Sequence, residues 1–180
     1  MISIFTKKKL TEDKVANIFV NGLLQLVDEG FSHVADIINK DPEFASSPSI
    51  QETDSNKFLI ITIAGNINYI PEHFNDYQDI RIIEKIYSKF SAVLGVDKET
   101  FKSTIREYQS LFNKLNHPSK NTLYAMSKTV FHKYDLYPYQ QEYFKKMKSP
   151  NPIFLKRLDE VMSNFLWDWN ALLDKYRVTE

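Results

Sequence analysis

The sequence predicts an all-α fold: one domain of about seven helices in an irregular bundle, with a buried central helix at 58–70 and a long C-terminal amphipathic helix. Three observations lead there. Apolar residues recur at steps of three and four through most of the chain, the period of a helix with one buried face. Only four glycines occur (Gly22, Gly30, Gly65, Gly95), too few for the tight turns of an all-β fold. The one charge-free run, Phe58–Ile70, is dense in β-branched residues, yet no other stretch resembles a sheet partner for it. A lone buried strand would leave backbone groups unpaired, so a helix that is apolar all round is the economical solution.

Residues 1–10 carry Lys7, Lys8 and Lys9 and read as a flexible basic N-terminus. Thr11, followed by Glu12 and Asp13, is the pattern of an N-cap with acids in the first turn. Val15, Ile18, Phe19, Leu23 and Leu26 continue that helix, with Gly30 as its expected C-cap. A second short helix is expected over 32–39, ended by Asp41-Pro42. Residues 42–56, rich in Ser, Pro, Glu and Asp, form the longest expected loop. Beyond Pro71, one helix carries Ile80, Ile83, Ile86, Tyr87, Phe90 and Leu94 and ends at Gly95. Asp97 caps the next, which His117-Pro118 stops, and Ser119 is the expected cap of a third running to Tyr134. Tyr137-Pro138-Tyr139 interrupts the chain, and a short segment, 140–147, leads to the final helix. There Leu155, Leu158, Met162, Phe165, Trp169, Leu172 and Tyr176 share one stripe, while Trp167 stands alone among polar residues on the opposite one.

The 180 residues suit a single domain spanning 1–180 with a core of ordinary size. Net charge is zero, so no global field draws the protein to nucleic acid or anionic lipid, although a local patch still could. The absence of cysteine removes disulfides, thiolate metal sites and a cysteine nucleophile, and fits a cytoplasmic location. A basic cluster after a very short apolar run is the reverse of a secretory signal, and 58–70 is too short to span a bilayer, so no membrane association is expected. The abundance of Lys, Asn, Ile, Phe and Tyr suggests an AT-rich, bacterial genome.

HExxH, GxSxG, GxGxxG and P-loop motifs are all missing. Three of the four histidines do have an aspartate three positions on, His33/Asp36, His73/Asp76 and His132/Asp135, a spacing that on a helix offers a metal one nitrogen and one carboxylate. Solvent exposure of the first pair and helix-end positions of Asp76 and His132 account for them equally well, and no metal or cofactor is expected. The stretch from Phe131 to Lys148 interleaves Tyr137, Tyr139, Tyr143 and Phe144 with Lys145 and Lys146, as single-strand nucleic-acid surfaces do. The rim of a helical core has the same composition. Trp167 and the Tyr137–Phe144 aromatics are the places where apolar area is surplus to one core. If adjacent, rimmed by Lys145, Lys146 and Asp174, they would make a patch for a protein partner or a second copy. The expectation is a non-catalytic cytosolic interaction or scaffold protein. The alternatives are a metal-binding or enzymatic helical protein using the His/Asp pairs, and a nucleic-acid accessory protein.

Overall fold

The Thr11 hydroxyl accepts the Lys14 N–H (3.3 Å) and opens a 28-residue helix, α1 (Glu12–Asn39). The computed structural model describes residues 6–180. Residues 1–5 of the expected flexible N-terminus lie outside them. The two helices expected before Asp41 are one, and Gly30 is not a cap. It lies inside α1, where a Cβ would stand 2.8 Å from the Phe165 ring. Glycine's enrichment past helix ends misled here, because close approach of an aromatic ring selects the same residue.

The charge-free run is the helix α2 (Asn56–Tyr69), and every residue from Ile61 to Ile67 is buried. Burial outweighs the strand preference of its isoleucines. Its first turn is completed by Tyr134, whose hydroxyl accepts the Phe58 N–H (3.2 Å) and donates to the Asp54 carbonyl (2.6 Å). The core extends outward from α2, which touches α1, α4 (Lys98–Asn116) and α5 (Thr122–Lys133), while α3 (Gln78–Leu94) lies along α1 and against α4.

On α3 the buried apolar residues are Ile82, Ile86, Tyr87 and Phe90, whereas Ile80 faces solvent. Gly95 ends α3 in the left-handed conformation (φ 66°), and Asp97 caps α4 by accepting the Thr100 N–H (3.0 Å). The cap of α5 is Asn121, not Ser119. Asn121 accepts the Tyr124 N–H (3.1 Å), and the Ser119 hydroxyl instead accepts the Asn121 N–H (3.2 Å). Short α6 (Glu142–Met147) and α7 (Pro152–Ser163) follow, with α7 packed on α5.

The long C-terminal helix is not present. α7 ends at Ser163, and α8 (Trp169–Lys175) begins after Asp168, whose carboxylate accepts the Ala171 N–H (2.9 Å). The break is held by Asn66 of α2. This buried amide donates to the Phe165 carbonyl (2.8 Å) and accepts the Trp167 N–H (2.7 Å), two backbone groups that an unbroken helix would have paired internally. Leu158, Met162, Phe165, Trp169 and Leu172 are buried all the same, so the stripe persists across the break.

The chain is predominantly helical, with eight α-helices and one small sheet among the described residues. Lys8–Thr11, of which Lys8–Leu10 were expected in the flexible N-terminus, forms β1, and Tyr176–Thr179, whose Tyr176 was expected on the last helix, forms β2. The strands run parallel, with Lys8 beside Tyr176 and Leu10 beside Val178. No described helix is long and apolar enough to cross a membrane.

Candidate interaction surface

Between α5 and α7 the chain makes an excursion whose base is closed by one side chain. Gln140 is 1% exposed. Its Oε1 accepts the Asn151 N–H (2.7 Å), and its Nε2 donates to the Ser149 carbonyl (3.0 Å), so residues 141–149 leave and return at one point. Asn151 caps α7 by accepting the Ile153 N–H (2.8 Å), and its own amide donates to Glu43 (2.8 Å). Arg157 grips both oxygens of buried Asp41 (2.7 and 2.9 Å) and reaches Glu43 at 3.4 Å. That grip holds the Arg157 guanidinium above its ordinary pKa. Phe44 packs on Phe154 (ring centroids 4.7 Å apart), and the Ala45 N–H donates to the Tyr139 carbonyl (2.8 Å). The long loop after α1 therefore fastens the corner between α6 and α7.

Beyond this base lies α6. It buries no residue, and Lys148 closes it in the left-handed conformation (φ 50°) that usually falls to glycine. Tyr143 is 66% exposed, Met147 60% and Ile153, in the first turn of α7, 54%. Tyr143 and Met147 are four residues apart and share a face of α6. Phe144 is half-buried and meets Tyr143 edge to face (5.1 Å). Lys145 pairs with Glu142 (3.1 Å), while Lys146, Lys148 and Lys156 are exposed without an acidic partner among the described residues.

The other aromatics expected at a patch sit elsewhere. Tyr137 is half-buried against Phe131 (4.7 Å), and Tyr139 is half-buried with its carbonyl held by Ala45. Trp167 lies in the break between α7 and α8, not on a polar helix stripe. Its ring meets Phe19 edge to face (5.7 Å) and covers Gly22, where a Cβ would stand 2.5 Å from it. With Ile18, Ala171, Leu172 and Tyr176 it lines a groove of about 370 Å³. Tyr137 packs on Phe131, which meets Phe154 in the first turn of α7, whereas Trp167 lies beyond the C-terminal end of that helix. The residues expected to share one patch rimmed by Lys145, Lys146 and Asp174 are thus associated with opposite ends of α7.

The His/Asp pairs are scattered. His33 and Asp36 are exposed on α1, with Asp36 taken by Lys40 (2.6 Å). His73 follows α2, its ring 6.3 Å from that of Trp169. Asp76 is not in a first turn but precedes α3 at φ 54°. His132 closes α5, and Asp135 lies beyond it at φ 49°. Only the first pair has the helical geometry that the spacing presumes. His73 and Asp76 line a groove of about 770 Å³ with Arg81, Arg177 and Glu180, but no three histidine or carboxylate side chains that could hold a metal ion gather among the described residues.

Of the corner's residues, the sequence pointed to Tyr143, Phe144, Lys145, Lys146 and Lys148 and missed Met147, Ile153 and Lys156. The four-residue step from Tyr143 to Met147 was a visible signal for the first. No local pattern distinguishes exposed Ile153 from buried Phe154 beside it. No protein-family model matches the chain, and neither a curated protein nor a solved structure matches it.

Proposed function

We propose that this is a non-catalytic interaction protein whose contact surface is the α6–α7 corner. One observation carries the reading: three large apolar side chains, each more than half exposed, fall within residues 143–153 on a base fastened by buried hydrogen bonds. Scattered exposed apolar residues are ordinary, whereas a cluster rimmed by polar groups marks an interaction site. The fastened base keeps the surface formed before contact, which lowers the ordering cost of binding. Scattering of the His/Asp pairs favours this reading over the enzymatic one. A single exposed ring, Tyr143, is a poor platform for nucleic acid, which needs successive rings on which bases stack. The test is photo-crosslinking in the native host with p-benzoyl-phenylalanine at Tyr143, Met147 or Ile153, and at His33 as an exposed control. Crosslinked product at the corner positions and little at His33 is expected. Equal yields, or none at the corner, would contradict the reading.

A further inference from the structure

We infer that the partner of this corner is the surface of an anionic phospholipid bilayer. The inference rests on the corner being the contact surface and adds what it contacts. Residues 141–156 hold four lysines against one glutamate, a local charge of +3 in a chain of zero net charge. The glutamate is already paired with Lys145, so Lys146, Lys148 and Lys156 present their charge to solvent. Tyr143, Met147 and Ile153 belong to the same stretch, and Lys156 shares a helical face with Ile153 three residues before it. Exposed apolar side chains among unpaired cations are complementary to a layer that is negative at its surface and apolar a few ångströms below.

Shape argues for lipid over protein. α6 is a six-residue helix that buries none of its residues. A stable protein contact covers roughly 800 Å² on each side with matched relief, more than three exposed side chains supply. A bilayer needs no matched relief, and interfacial segments bury their apolar face only about 5–10 Å deep. Tyr143, with an apolar ring and a hydroxyl that stays wet, suits that depth. The lysine stems lie along apolar surface while their ammonium groups remain among the headgroups. Each lysine near an anionic leaflet strengthens association by roughly five-fold, an effect that salt screens. Three lysines and three modest apolar side chains predict reversible binding at the surface rather than insertion across it.

The experiment is co-sedimentation of the full chain with vesicles of phosphatidylcholine alone and of phosphatidylcholine with about one quarter phosphatidylglycerol. Binding to the second vesicles, little to the first, and loss of binding at about 0.5 M salt are expected. The exposed double variant Lys146→Glu/Lys148→Glu should bind at least about ten-fold more weakly. Tyr143→Ser/Met147→Ser should weaken binding at every salt concentration while unfolding at the wild-type midpoint. Equal binding to both vesicles, no binding to either, or undiminished binding by the charge-reversed variant would overturn the lipid assignment. If the corner crosslinks to protein in cells while the purified chain ignores anionic vesicles, the contact surface stands and the lipid is wrong. If it crosslinks to nothing, the contact surface itself falls.

Discussion

Asn66 shows how one residue redirects a chain. Its amide meets the Phe165 carbonyl and the Trp167 N–H, so the backbone can leave the helix inside the core without orphaned groups. Replacing it with alanine should cost about 2–4 kcal/mol by urea denaturation, since two buried backbone groups lose their partners. A loss under about 0.5 kcal/mol would mean that water takes its place. Asp159 tests the opposite sign. Burial raises its pKa, against the Ser127 hydroxyl and the Lys128 charge, and its Oδ1 is buried without a hydrogen bond. An acid raised in the folded state favours folding most below its unfolded pKa of about 3.9, and that contribution is lost as pH rises through the folded value. Asp159→Asn should therefore be more stable than wild type at neutral pH, with the gain shrinking toward about pH 3.5. A variant less stable at neutral pH would show that the carboxylate makes a favourable contact in its charged form.

At the scale of elements, the sequence was legible where a helix is defined by its own residues. The helix at 58–69 with its buried middle, Ile61–Ile67, the caps at Thr11 and Asp97 and the stop at Gly95 are local facts, and local patterns reported them. What escaped was decided by neighbours. The stripe from Leu158 to Leu172 reads as one helix because α7 and α8 bury their faces in the same core, so periodicity continues through a break that Asn66, about a hundred positions earlier, makes possible. Asn164 and Asp168 are residue types that end and start helices, a local signal that the reading of the stripe as one helix did not use. β1 and β2 are four residues each and exist only by pairing across nearly the whole chain. The α6 excursion is likewise built by a distant contact, the loop after α1. Gln140→Ala should cost about 1–3 kcal/mol and speed amide exchange of residues 141–149 beyond that of the rest of the protein. Uniform acceleration would show that Gln140 supports the whole core rather than the base of this corner.

For the whole molecule, the candidate site was half legible. Tyr143, Lys145 and Lys146 stood out by composition, but exposure is a property of the assembled chain, and Trp167, equally conspicuous in sequence, is half-buried against Phe19 because Gly22 of α1 makes room for its ring. Tyr143, Met147 and Ile153 are exposed, as Tyr77, Ile80 and Val93 are elsewhere, but these three fall within residues 143–153 of one corner. The most direct measurement of whether the fold needs them is the urea denaturation free energy of the triple variant Tyr143→Ser/Met147→Ser/Ile153→Ser. Side chains surplus to folding predict a value within about 0.5 kcal/mol of wild type, the range of ordinary surface substitutions. A loss of about 2 kcal/mol or more would place all three in the core and remove the contact surface from the protein.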